Sequence, residues 1–206
     1  MNVHLYLQPE MRKRDAQKEK MLRQKALKMI VKEGLERFSI QKLAKSAGTS
    51  PATIYIYFKD KEDLILQLCG EMVRKMSEAS LKNFDPEMSF AEGLRVQWLN
   101  RAHYCLKYPH QAQFMEQIKH SSYHEKSIQM MDGTFRKAMQ EFVVNAVKRK
   151  EVVKVPIEVF WSVAYAPLYN LVRFHNSGKS VGGHKFCFSE EIMLETLNLV
   201  LKALKP

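Results

Sequence analysis

Between residues 50 and 61 the chain sets out Ser50, Thr53, Tyr55, Tyr57 and Lys61, four hydroxyls and an ammonium. Hydroxyls and ammonium groups donate hydrogen bonds to anionic oxygens, and a line of them suits phosphate contact better than bond breaking. Three helix starts are legible nearby, at Ser39, Ser50 and Asp60. Helix N-termini favour anions, so each adds to the same chemistry. Lys61 falls in the first turn of a helix, where a cation is unfavourable unless a phosphate comes near. Lys42, Lys45 and Lys59 add attraction that does not depend on base sequence.

The rival chemistries fit less well. "NSGKS" resembles the end of a phosphate-binding loop, but the first glycine of that motif would fall on Arg173, and the segment follows a helix rather than a strand. His120 and His124 have the i, i+4 spacing of metal ligands without a third ligand beside them. No nucleophile-elbow sequence is present. No cofactor and no metal are expected. Cys69, Cys105 and Cys187 are odd in number, far apart and outside any CxxC pair. Reduced thiols in a cytoplasmic protein fit that usage.

Charge points the same way as the hydroxyls. The 206 residues carry a formal net charge of +11. Residues 1–60 hold 13 Lys/Arg against 6 Asp/Glu, and residues 61–206 hold 20 against 16. The excess therefore sits toward the start, where it favours a polyanion partner, although a lysine-rich solvated face gives the same count. No apolar run approaches the ~20 residues of a membrane span, so no membrane partner is expected. "MNVHLYLQPE" is too short and too weakly apolar for a signal peptide and reads as a flexible arm.

The elements that position these groups are helices. Glycine and proline are sparse, at 8 and 7, and no alternating strand pattern appears. The spacing predicts an all-α chain of about nine helices. Leu22, Ala26, Met29, Ile30 and Leu35 mark the first, over 12–34. Ser39 caps a short second helix that stops at Gly48. Ser50-Pro51 opens a third of about two turns, "PATIYIY". Asp60, with Asp63 three residues on, opens a fourth to about 82. Further helices are expected over 89–108, 109–119, 122–150, 156–176 and 189–204. Pro167 should kink its helix.

A helix, a glycine turn and a second helix make a helix-turn-helix. Its second helix must enter a major groove, so its outer face must be small or polar. Ser50, Pro51, Ala52 and Thr53 meet that need, while Leu43, Ala44, Ala47 and Ile54 are placed to pack the pair. The stretch "LAKSAGTSPATIYIYFKDKEDLI" resembles the signature of the TetR family of transcriptional regulators. The matching positions are Leu43-Ala44, Ala47-Gly48, Ser50, Thr53 through Phe58, and Lys61 through Ile65. The resemblance implies a homodimer, with a DNA-binding domain at 10–60 and an effector-binding and dimerisation domain at 61–206. It also implies that Thr53, Tyr55, Tyr57 and Lys61 touch phosphates or groove walls and that Pro51, Ala52 and Ile56 face bases. The family often has a polar or aromatic residue at position 56. Ile56 can touch a thymine methyl without hydrogen-bonding, which leaves more of the readout to DNA shape.

In the last helix, Met193, Leu197, Val200, Leu201 and Leu204 form one apolar stripe and Ile192, Leu199 and Ala203 another. Two stripes mean either a fully buried helix or one with a partner chain, and the resemblance favours a dimer bundle from residues 157–175 and 190–204. Trp98, Phe135, Trp161 and Tyr165 are either plain core or the lining of a pocket for a small apolar effector. The expected function is ligand-responsive regulation, as a repressor released from a palindromic operator on double-stranded DNA. The alternatives are a helical interaction protein that does not bind DNA and, with less support, an enzyme.

Overall fold

The computed structural model describes the backbone from residue 8 and side chains from residue 15. The arm expected over residues 1–10 lies mostly outside the described residues, and residues 8–10 already belong to the first helix. Eleven α-helices follow in order: α1 Gln8–Glu33, α2 Ile40–Ala47, α3 Pro51–Tyr55, α4 Lys61–Ser80, α5 Phe90–Lys107, α6 Pro109–Lys119, α7 His124–Gln129, α8 Gly133–Lys148, α9 Ile157–Ala164, α10 Ala166–Ser177 and α11 Glu190–Ala203. A 3₁₀ turn covers Val181–Gly183. The described residues hold no strand, only an isolated bridge from Lys179 to Lys185. No helix among them is long and apolar enough to cross a membrane.

The count of eleven corrects the expected nine, because two long helices are each broken. The span 122–150 becomes α7 and α8. Asp132 has φ −58°, ψ 139°, so the chain leaves helical geometry there and restarts at Gly133. Its first helix also opens at His124 rather than Ser122, and the Tyr123 N–H donates to Ser121 Oγ at 3.2 Å. The span 156–176 becomes α9 and α10. Pro167 supplies no N–H and crowds the preceding turn, and Tyr165 at φ −126°, ψ −33° makes the break. The Ala164 carbonyl beside it accepts the Trp98 indole N–H at 2.8 Å.

The chain divides into two compact units, residues 1–71 with 114–128, and residues 72–113 with 129–206. In the first unit, α1 packs on α2 and α2 on α3. Leu22, Ala26, Ile30, Leu43, Ala44 and Ile54 are buried, as amphipathic spacing requires. Ile118 is also buried, and Gln117 donates to the Val31 carbonyl at 3.2 Å.

The second unit is built around α5, whose buried positions run from Phe90 through Leu94, Trp98 and Ala102 to Cys105. Phe142, Phe160, Leu168, Met193 and Leu197 close over it. Gly93 permits the closest approach. A Cβ there would stand 2.3 Å from a ring carbon of Phe142, so α5 and α8 can meet at this separation only with glycine.

Candidate nucleic-acid interface

Local capping fixes the two-helix unit. Ser39 Oγ accepts the Lys42 N–H at 3.2 Å and opens α2. Gly48 ends it at φ 63°, ψ 37°, a left-handed conformation that an L side chain resists. The Thr49 N–H then returns to the Ala44 carbonyl at 3.0 Å. Ser50 Oγ accepts the Thr53 N–H at 3.2 Å and also lies 3.0 Å from Thr53 Oγ1. Pro51 occupies the first turn, where its missing N–H costs nothing.

Helix α3 has five residues, shorter than the expected two turns. Ile56 and Tyr57 continue as a turn, with the Tyr57 and Phe58 N–H groups both reaching the Ile54 carbonyl at 3.0 Å. Ile54 and Phe58 are the buried anchors, at 0% and 1% exposure. Pro51 and Ala52 are exposed, Tyr55 is half exposed, and Ile56 is 77% exposed. Thr53 and Tyr57 are partly covered. The unit thus turns its small and aromatic groups outward over a two-point apolar footing.

Several polar groups around this face already have partners. Tyr57 Oη donates to Asp15 Oδ1 at 3.1 Å. Partial burial, then this carboxylate, pushes the phenol pKa up, so the hydroxyl stays protonated at neutral pH. Lys42 Nζ donates to Glu33 Oε2 at 3.1 Å and to the Arg37 carbonyl at 2.9 Å, so it reaches a phosphate only by leaving them. Lys61 is partly exposed in the first turn of α4. That helix opens as a reciprocal cap: the Asp63 N–H donates to Asp60 Oδ1 and the Lys59 N–H to Asp63 Oδ2, each at 2.8 Å.

A second network was not legible in the sequence. Arg23 pairs with Glu19 at 2.6 Å, donates to Gln67 Oε1, and stands 5.2 Å from the Phe58 ring centroid. Gln67 in turn donates to both Asp63 oxygens at 3.0 Å. This chain of contacts ties α1 to α4 behind the aromatic anchor. The i, i+4 pairs within it could be found from spacing, but the Arg23–Gln67 link spans 44 residues and leaves no local signal.

A family model described as bacterial regulatory proteins, tetR family, matches residues 22–68, the stretch from the middle of α1 into α4. A crystal structure of a TetR family transcription regulator from Marinobacter aquaeolei VT8 superposes with a TM-score of 0.70 at 27% identity, over 94% of this chain and 98% of that one. Over residues 22–68 the chain matches the TetR family. Two curated relatives agree: an uncharacterized HTH-type transcriptional regulator of Haemophilus influenzae, 36% identical over 73 residues, and a fatty acid metabolism regulator protein of Bacillus subtilis, 37% identical over 57. These matches cover 35% and 26% of this chain, and the chain spans only 39% and 29% of the two relatives' lengths. TetR proteins are transcriptional regulators rather than enzymes. Among the described residues no group of three or more His, Cys, Asp or Glu is placed to hold a metal.

The four residues expected to line an effector pocket are not equivalent. Trp98 is wholly buried, with its N–H spent on Ala164. Phe135, Trp161 and Tyr165 instead converge on Arg101, with ring centroids 5.6, 5.9 and 4.7 Å from its guanidinium carbon. Sequence reasoning could not place Arg101. The available signal was its position on α5, a charge on the same buried face as Leu94, Trp98 and Cys105. An open groove of about 630 Å³ lies elsewhere in the second unit, lined by Lys75, Glu78, Lys82, Tyr104, Tyr108 and Gln111 among others, and none of the four lines it.

Proposed function

We propose that this chain is a ligand-responsive regulator, expected to repress, that binds a palindromic operator on double-stranded DNA as a homodimer. The observation that carries the reading is the α3 surface: Ile54 is fully buried while Ile56, two residues on, is 77% exposed. An exposed isoleucine on a capped, rigid turn suits a surface that another molecule covers. In this reading residues 10–60 are the DNA-binding domain and 61–206 the effector and dimer domain. Pro51, Ala52 and Ile56 face bases. Ser39, Lys42, Ser50, Thr53, Tyr55, Tyr57 and Lys61 serve the backbone, Ser39 and Ser50 by holding helix N-termini toward phosphates. The protein works in the cytoplasm.

Exposed apolar residues support the dimer. Leu199 on α11 is 61% exposed beside Ala203, and Ile157 and Val159 on α9 are 65% and 47% exposed. Leu197 and Val200 on the other side of α11 are buried, while Leu199 and Ala203 of the second stripe are exposed. Leu199→Glu should leave folding intact and turn dimer into monomer by sedimentation. An effector held in 61–206 would release DNA through a difference in affinity between two conformations, with α4 as the connecting lever. The match to the Bacillus subtilis relative covers 26% of this chain, so that protein's name assigns no effector here.

The test is binding to random duplex DNA at low and at raised salt, by fluorescence anisotropy. Affinity should fall steeply with salt, Tyr57→Ala and Lys61→Ala should each weaken it, and Lys61→Ala should also lower the salt slope. No binding at low salt, or wild-type affinity in both variants, would overturn the reading.

A further inference from the structure

The second unit buries a cation that no carboxylate among the described residues neutralises. Arg101 is 3% exposed. Its Nε and one terminal nitrogen both donate to Gln97 Oε1, at 3.1 and 3.0 Å, and the other donates to Tyr169 Oη at 2.8 Å. Neither acceptor is a carboxylate, and among the described residues no Asp or Glu pairs with it. Its guanidinium carbon lies over the rings of Phe135, Trp161 and Tyr165. An arginine stays charged at any accessible pH and carries five donor hydrogens, of which these bonds use three. Ring faces soften a buried cation but do not replace a counter-ion, and an unpaired buried charge is costly.

A second observation falls at the same place. Tyr165 Oη is buried with no hydrogen-bond partner. Burial pushes its phenol up to about 12, so it keeps a proton to donate. The break at Tyr165 assembles the group. Residues 161 and 169 would stand about 12 Å apart along a straight helix, yet the Trp161 and Tyr169 rings stack with centroids 6.3 Å apart. Trp161 is 42% exposed and forms the solvent side of the cluster.

We infer that the effector of this chain carries a carboxylate, received by Arg101 together with the Tyr165 hydroxyl, with its apolar body against the Trp161 and Phe135 rings. The inference rests on the reading that residues 61–206 take a small effector, and it supplies the chemical class. One guanidinium and one spare hydroxyl balance a monoanion, whereas a phosphate dianion would leave a buried negative charge.

The experiment compares acids with their matched amides on the full chain: octanoate against octanamide and phenylacetate against phenylacetamide, followed by quenching of Trp98 and Trp161 fluorescence. At least one acid should bind about tenfold or more tightly than its amide, the range of a charge-assisted bond. Arg101→Gln should abolish that preference while amide binding persists, and Tyr165→Phe should reduce it without lowering the melting temperature. Arg101→Met, similar in volume and uncharged, should hold or raise the melting temperature of the free protein. Equal binding of acids and amides by the wild type, or a preference that survives Arg101→Gln, overturns the inference. So does a lower melting temperature in Arg101→Met without acid preference in the wild type, which makes the arginine structural. Duplex binding of the same protein without acid is read separately. Acid preference without DNA binding keeps this site and rejects the regulator, and DNA binding without acid preference does the reverse.

Discussion

The α2–α3 surface and the Arg101 cluster handle polar groups in opposite ways. At the surface, Ser39, Ser50, Asp60 and Asp63 each close on a backbone N–H three or four residues away, and Tyr57 finds Asp15. Every one of these groups could have used water instead. In the core of the second unit, Tyr165 Oη and Ser80 Oγ have no hydrogen-bond partner and Arg101 has no counter-ion among the described residues. Exposure makes local satisfaction a matter of shape: the caps stiffen a short helix that could not stand alone. Burial makes dissatisfaction a matter of energy, since a buried polar group without a partner carries its full desolvation cost. The first surface is locally saturated, and the second is not.

The largest effect that would break this contrast lies at the footing of α3. Ile54→Ala removes a fully buried side chain and should destabilise the protein by about 2–5 kcal/mol, read as a lower urea midpoint. Ile56→Asp, two residues on, should leave that midpoint within about 0.5 kcal/mol, because the site is exposed. It should nevertheless weaken duplex binding by about tenfold or more, since it sets a negative charge against phosphates. If Ile56→Asp unfolds the protein, the outer face of α3 is part of a core and the contact reading fails.

A smaller pair sharpens the contrast with one substitution made twice. Ser50→Ala deletes a cap and should cost about 1 kcal/mol. Ser80→Ala deletes a buried hydroxyl that bonds to nothing and should be neutral or stabilising by the same denaturation. Equal losses in both would mean that Ser80 has a partner in solution and that the second unit is as saturated as the first.

What the sequence disclosed follows the range of each interaction. Ser39, Ser50, Asp60, Ser89 and Ser189 were legible as helix starts because each bonds three residues downstream. Gly48 was legible because a left-handed residue ends a helix by itself. The break before Gly133 also had a local mark, Asp132-Gly133, outweighed by the apolar periodicity on either side. Pro167 was legible as a disturbance, but whether it bends a helix or divides it depends on how the Ala164 carbonyl is satisfied, and its partner Trp98 lies 66 residues away. Lys42 reads as a free cation until the fold brings Glu33 beside it. The Arg101 group draws on four helices and closes over 68 residues to Tyr169, so no window of sequence contains it. The α3 surface could be read in advance for the reason that it is local, and the buried cluster could not because it is tertiary.

The finest test concerns Asp63, which closes the α4 cap and receives Gln67. The hydrogen bonds from Gln67, then from the Lys59 N–H, hold its carboxyl below the usual range, with Arg23 adding a smaller push. A depressed folded-state value means the native protein binds the proton less readily than the unfolded chain does. The stabilisation is therefore complete above the unfolded value of about 3.9 and is lost as pH falls through the folded one. Asp63→Asn keeps the shape and one acceptor but drops the charge. The wild type should be more stable than the variant by a few tenths to about 1 kcal/mol at pH 7, and the two urea midpoints should converge as pH falls below about 4. A gap that persists unchanged to pH 2 would place the loss in the geometry of the cap rather than in the carboxylate. The α1–α4 network would then owe its strength to fit alone, and the first unit would resemble the second more than the caps suggest.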